Sequence, residues 1–259
     1  MKFLLSLLLF VSFNVFAEPI EFISRSTPGA GDDIFVRKVV AHLEADTNLK
    51  FIVSNRPSSG HVIAYNYFES KTKPMLLVAD KSILNHTVIS VSERIFNLGY
   101  FTNILFVKNG TSIRSFNDLV NLSKEREITF GHGGEGSASF EAANSICQTI
   151  LRCLLVPYKS GGQAMLDMAA GTIDAYALTS IGSTSASVNN DMYRGILIYS
   201  TRKHPTLDLP LLPKQYKDIE IRNLVAVYGR NLSTEDRNII QQSLNKMKLD
   251  FFIENGLYK

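Results

Sequence analysis

The sequence predicts an α/β fold built as two lobes. Three observations carry that prediction. Strand patterns alternate with helix patterns along the chain, as sheets with crossover helices require. A unit of strand, glycine-rich loop and helix occurs twice, about a hundred residues apart. The 259 residues, 45% apolar and 20% charged, allow one large or two modest domains with a sizeable core.

The elements follow in order. Residues 20–24 are a short apolar strand, and Thr27-Pro28-Gly29-Ala30-Gly31-Asp32-Asp33 is a tight loop. Val36, Val39, Val40 and Leu43 then recur at helical spacing, with Asp32 or Asp33 as N-cap. Residues 51–54 form the next strand, 55–60 a loop, 62–70 a helix and 75–79 a third strand. Residues 80–99 carry no readable pattern. A strand at 104–107 and a helix over about 115–124 precede the second unit: strand 128–131, loop His132-Gly133-Gly134-Glu135-Gly136-Ser137, and a helix with Ala143, Ile146, Cys147, Ile150 and Leu151 on one face. Strand 154–157, helix 163–169 and strands 173–178 and 195–200 come next. Ser233 caps a last helix, with Asp236 at the capping-box position and Ile239, Ile240, Leu244 and Met247 behind it. Such an alternation predicts parallel sheets.

Composition excludes several functions. Twenty-seven Lys and Arg against 24 Asp and Glu give +3, too little and too dispersed for nucleic acid or an anionic membrane surface. Two cysteines are too few for a disulfide-built scaffold or a structural zinc site. The five histidines are scattered, with no His-x-x-x-His or His-Glu-x-x-His pair, so neither a metal nor another cofactor is expected. Walker A and Gly-x-Ser-x-Gly motifs are absent from the sequence.

Met1-Lys2, an apolar run over 3–13 and Val15-Phe16-Ala17 read as a secretory signal, residues 1–17, cut after Ala17. A membrane anchor is the rival reading, but the run is about half the roughly 20 residues a spanning helix needs. The expectation is an exported, soluble protein of a bacterial periplasm. Export bears on Cys147 and Cys153, six residues apart. They either pair as a local staple in an oxidising compartment or stay as two buried thiols; pairing requires the helix to end between them.

A glycine-rich turn before a helix exposes backbone N–H groups, and the helix dipole adds partial positive charge. Two such turns facing one another make a clamp for an anion, most simply a carboxylate. The plainer reading is that each glycine only permits a tight strand-to-helix turn. His132 reads as a polar lining group rather than a base, because no nucleophile partners it.

Five segments, in order, resemble the Bug (TctC-type) substrate-binding proteins of tripartite tricarboxylate transport systems. They are residues 27–37; Val53-Ser54-Asn55-Arg56-Pro57-Ser58-Ser59-Gly60; Phe130-Gly131-His132-Gly133-Gly134-Glu135-Gly136-Ser137; and Val156-Pro157-Tyr158-Lys159-Ser160-Gly161-Gly162-Gln163-Ala164 with Leu166, Gly171 and Asp174 behind it. The fifth is Arg202-Lys203-His204-Pro205, with Leu209-Pro210. The resemblance implies a type II periplasmic-binding fold with a ligand cleft between its lobes: residues 18–105 plus 225–259 as lobe one, and 106–224 as lobe two. It implies two crossing strands as hinge, with the last helix returning to lobe one. It also implies carboxylate binding by Thr27, Gly29, Ala30, Gly31 and Asp33 of the first loop, by Gly133, Gly136 and Ser137 of the second, and by Asp174; Ser26, Asp32 and His132, in the same loops but departing from the family pattern, complete the candidate ligand-binding set. Asp32 and His132 stand where the family commonly has Thr and Ser.

The expected function is therefore a monomeric, non-enzymatic binder of a small carboxylate or amino acid, serving a membrane permease of the tripartite tricarboxylate type or a sensor. A secreted hydrolase on a similar scaffold and a degenerate, non-binding homologue are the alternatives. Asp32, Asp33 and Glu135 near the loops rank an amino acid or a small polar monocarboxylate above citrate.

Overall fold

Alternation of apolar residues along β1 (Ile20–Ser24) decides which helix covers which face. Ile20 and Phe22 enter the core beneath α1 (Gly31–Asp46), whereas Ile23 enters the core beneath α2 (Val62–Ser70). The computed structural model describes residues 18–80, 93–181 and 188–258. The expected signal, residues 1–17, lies outside the described residues.

The described residues form two five-stranded sheets. The first has the order β2-β1-β3-β10-β4, with β2 (Phe51–Asn55), β3 (Met75–Asp80), β4 (Arg94–Phe101) and β10 (Asn223–Arg230). The second has the order β7-β6-β8-β5-β9, with β5 (Asn103–Lys108), β6 (Ile128–His132), β7 (Cys153–Pro157), β8 (Ala175–Thr179) and β9 (Tyr193–Ile198). Helices α3 (Phe116–Glu125), α4 (Ala138–Thr149) and α5 (Gly161–Ala170) belong to the second sheet's half. Two more, α6 (Thr234–Asn245) and α7 (Leu249–Glu254), follow β10.

Each sheet is mixed, which corrects the expectation of parallel sheets. Strands β1, β2 and β3 run parallel, and so do β6, β7 and β8. Strand β10 is antiparallel to β3 and β4, and β5 is antiparallel to β8 and β9. The reason is the way the chain passes between sheets. It goes from β4 directly into β5 through Thr102, with no crossover helix to turn it around. It returns at Arg222: Ile221 still donates its amide to Tyr199, while Asn223 already pairs with Phe101. Both changes of sheet fall slightly ahead of the expected lobe limits at 105/106 and 224/225.

Ile240, Leu244 and Met247 of the terminal helical segment, with Phe252, join the core of the first sheet alongside Val39, Leu43 and Val227. Ser233 accepts from the Asp236 amide at 2.9 Å and caps α6. The α1 cap differs from the expected one. Its N-cap is Ala30, with no side-chain cap bond, and Asp32 and Asp33 lie within the first turn. Their carboxylates are engaged elsewhere.

Candidate binding cleft

Three helices begin beside one space between the sheets: α1 at Gly31, α4 at Ala138 and α5 at Gly161. The space is a cleft of about 310 Å³. It opens beyond the carboxyl ends of parallel strands, where α/β sheets place ligands. Arg25, Ser26, Ala30, Gly31, Asp32, Ser58, His61 and Asp80 line it from the first lobe. Gly133, Ser137, Ser139, Lys159, Ser160, Gly161, Gly162, Met165, Tyr176, Leu178 and Tyr193 line it from the second.

Six of the expected binding residues meet at this cleft: Ser26, Ala30, Gly31, Asp32, Gly133 and Ser137. Thr27, Gly29, Asp33, His132, Gly136 and Asp174 are not among its lining residues. Asp33 points back into loop one, where it accepts from the Gly29 amide at 2.9 Å, from Arg37 Nε at 2.9 Å and from Asn55 Nδ2 at 2.7 Å. Burial alone would raise its pKa, but these donors outweigh it and lower it. Asp33 thus shapes the loop. The Thr27 carbonyl closes the same turn by accepting from the Ala30 amide at 3.1 Å.

His132 is buried at the end of β6, with its ring 5.0 Å from that of Phe140 and its Nδ1 accepting from the Gly134 amide at 3.0 Å. Burial lowers its pKa and favours the neutral ring. Asp174 precedes β8, at the end of that strand opposite the cleft-lining Leu178 and Thr179. There it clamps Arg126 through two oxygens, at 2.6 and 2.7 Å, and accepts from the Thr129 amide at 2.9 Å. Those contacts hold strands together.

The cleft's charged wall is a network that sequence patterns left unassembled. Arg25 is 4% exposed and donates to Asp32 and Asp80 at 3.0 Å each and to the Tyr65 hydroxyl at 2.9 Å. Burial opposes the guanidinium charge, and Tyr65, Asp32 and Asp80 outweigh it, so its pKa lies well above the ordinary value. His61 beside this network is lowered to about 4, first by burial and then by the charge of Arg25. It is neutral at physiological pH. On the facing wall, Lys159-Ser160-Gly161-Gly162 is a third polar, glycine-rich turn before a helix, and that repetition is the signal that could have found it.

The three helix starts differ in one respect. Ser137 accepts from the Phe140 amide in α4, and Ser160 accepts from the Gln163 amide in α5. Helix α1 has no such side-chain cap. Its first turn, at Ala30, Gly31 and Asp32, lines the cleft beside Ser26 and carries the partial positive charge of the helix end. No side chain gives α1 the acceptor that Ser137 and Ser160 give α4 and α5.

No protein-family model and no curated protein sequence matches the chain. Solved structures do. The chain is similar to the periplasmic binding protein BugD, with a TM-score of 0.79 and 15% identity over 92% of this chain and 87% of that one. It is similar to R. palustris Rpa4515, solved with adipate, with a TM-score of 0.80 and 16% identity over 92% and 87% of the two chains. MatC from Rhodopseudomonas palustris, with bound malate, gives 0.77 and 11% identity over 92% and 88%. The chain has the two-lobed α/β fold of the periplasmic binding proteins, and its cleft lies where the two lobes meet.

Proposed function

We propose that the protein is an exported solute-binding protein of the Bug (TctC-type) family that encloses a small carboxylate-bearing ligand between its lobes. The uncapped first turn of α1, open to the cleft beside Ser26, is the observation that carries this reading. Ser26, Ala30 and Gly31 of lobe one and Gly133 and Ser137 of lobe two hold the ligand. Asp32 acts through Arg25. The five sequence segments and the likeness to BugD, Rpa4515 and MatC support the family, and the last two were solved with adipate and malate.

Residues 1–17 direct export, and the mature monomer hands its ligand to a permease of the tripartite tricarboxylate type or to a sensor. It binds without chemistry. Among the described lining residues, Ser137 gives its hydroxyl proton to the Gly134 carbonyl at 2.7 Å rather than to a histidine.

Native mass spectrometry of protein purified from a periplasmic extract, followed by calorimetry with carboxylates, tests the reading. The expected result is one small acid per chain, recovered unchanged after prolonged incubation. Turnover of that acid would favour the hydrolase alternative. A folded, monodisperse protein that binds no acid would favour the non-binding homologue.

A further inference from the structure

Tyr176 lies in β8, is 2% exposed and yet belongs to the lining of the cleft. Two glycines make room for it. A Cβ on Gly131 of β6 would stand 3.2 Å from the edge of its ring and 2.6 Å from Ile173. A Cβ on Gly161, the first residue of α5, would stand 3.0 Å from its hydroxyl and 3.1 Å from Leu178. The ring packs in one cluster with Ile104, Phe106, Tyr158 and Met168. The hydroxyl therefore has a fixed place next to Gly161, which lines the cleft and has no side chain to cover it.

The protons of the neighbouring hydroxyls can be counted. Ser137 gives its proton to the Gly134 carbonyl at 2.7 Å, so across the 3.0 Å contact between Ser137 and Ser139 it is Ser139 that donates. Ser139 also accepts from the Gly133 amide at 2.8 Å. The Tyr176 hydroxyl has Ser139 as its hydrogen-bond neighbour. With its own proton committed, Ser139 can only accept from Tyr176. The three hydroxyls are thus aligned in one sense, from Tyr176 through Ser139 and Ser137 to the Gly134 carbonyl. Burial, opposed by Ser139, pushes the Tyr176 pKa up to about 12, so the phenol keeps the proton that it gives to Ser139. Its oxygen is left with lone pairs to offer.

We infer that Tyr176 sets the selectivity of the cleft, its oxygen accepting a hydrogen bond from a hydroxyl or amino group carried by the ligand acid. This rests on the solute-binding reading and deepens it. The sequence expectation of a polar or amino-bearing ligand counted Asp33 and Glu135 beside the ligand. Asp33 is turned into loop one, and Glu135 is an exposed residue outside the lining. The preference for a donor-bearing ligand instead comes from a neutral acceptor in the second lobe.

Calorimetry at pH 7 with two matched sets of acids tests the inference: propionate, L-lactate and L-alanine, and succinate, L-malate and L-aspartate. In at least one set the hydroxy or the amino acid should bind about five- to tenfold tighter than the plain acid, the size of one hydrogen bond. A preference for the hydroxy acid identifies a hydroxyl as the donor, and one for the amino acid identifies an ammonium group. Tyr176→Phe keeps the ring in its slot and removes only the oxygen. It should bring the preferred acid down to the affinity of the plain one and leave the plain acid unchanged. A preference that survives Tyr176→Phe would overturn the inference and leave the solute-binding reading standing. So would equal affinities within both sets for the parent protein, or an equal loss of every acid in the variant. If none of the six acids binds the parent, the inference and the carboxylate-binding reading fall together.

Discussion

The Gly60 amide donates to the Gly133 carbonyl at 2.7 Å, a backbone bond that joins loop 55–61 of the first lobe to the glycine loop of the second across the cleft. Gly60 has φ +64°, and a Cβ there would run into the Glu135 carbonyl. Gly134 has φ +92°, and a Cβ there would meet Ser59 Oγ and lie 2.8 Å from the Gly60 amide nitrogen. Only glycine lets the two backbones approach this closely. The contact ties the two lobes together in this structure, and nothing in either loop alone requires it. Gly60→Ala should break it, adding about 1 kcal/mol of left-handed strain to the clash. Ligand affinity should fall about tenfold or more, with the helix content unchanged. Small-angle scattering checks the mechanism: the ligand-loaded variant should have a larger radius of gyration than the ligand-loaded parent.

Asp33 organises loop one with one carboxylate serving three donors: Gly29, Arg37 and Asn55. Asp33→Ala removes the acceptor and strands the Gly29 amide, while Asn55 keeps its bond to the Ser26 carbonyl. The expected loss is about 2–4 kcal/mol of folding stability, read from urea denaturation. Asp33→Asn keeps the shape but not the charge, so it should lose less. If Asp33→Ala unfolds at the same urea concentration as the parent, the carboxylate is not what holds the loop.

Elements with one apolar face, such as α1 through Val36, Val39, Val40 and Leu43, were legible because local spacing suffices to place them. So were the two glycine loops and their meeting at one cleft. Strand β4 was not. It reads Arg94-Ile-Phe-Asn-Leu-Gly-Tyr-Phe, and its pairing with β10 links residues more than a hundred positions apart, across two register shifts. The same limit hid the Arg25–Asp80 pair, 55 residues apart. Residue type also misled at the loops. An aspartate next to a glycine turn reads as a ligand contact, yet Asp33 faces inward, and Asp174 sits at the wrong end of its strand.

Glu21 makes the folded protein sensitive to acid. It is 6% exposed and accepts from Lys73 at 2.7 Å, Tyr67 at 3.0 Å, Arg56 at 3.3 Å and the Ser54 hydroxyl. Burial would raise its pKa, but Lys73, Ser54 and Tyr67 outweigh burial and lower it from 4.5 to about 2. The folded state therefore prefers the ionised form more strongly than the unfolded chain does. That stabilisation is fully present above pH 4.5 and is lost as the pH falls toward about 2. Its size at pH 7 is on the order of 3 kcal/mol. Glu21→Gln should be less stable than the parent at pH 7, and the gap should close by pH 2. Urea midpoints of both proteins across that range measure it; a gap that does not change with pH would contradict the assignment.

Cys147 lies in the last turn of α4 and Cys153 opens β7, and the two are joined sulfur to sulfur with their Cα atoms 5.6 Å apart. On an unbroken helix, residues six apart point to different faces. Here α4 stops at Thr149, and the Ile150 and Leu151 amides both donate to the Ile146 carbonyl, at 2.8 and 3.0 Å, which turns the chain back on itself. That turn brings the second cysteine to the first. The bridge closes a short loop, so it removes little freedom from the unfolded chain and should contribute about 1–3 kcal/mol. Its position gives it a second effect. Helix α4 begins at the cleft and ends at the bridge, so fixing its far end to β7 fixes the tilt of Ser137 and Ser139 at the near end. Native protein from an oxidising compartment should therefore resist alkylation until reductant is added, and reduction should lower the thermal midpoint. In the Cys147→Ser, Cys153→Ser double variant, reductant should have no effect on the midpoint, which separates the bridge from general damage. Ready labelling of both thiols without reductant would show that the bridge does not form, and the stability of α4 would then rest on its apolar face of Ala142, Ala143 and Ile146 alone.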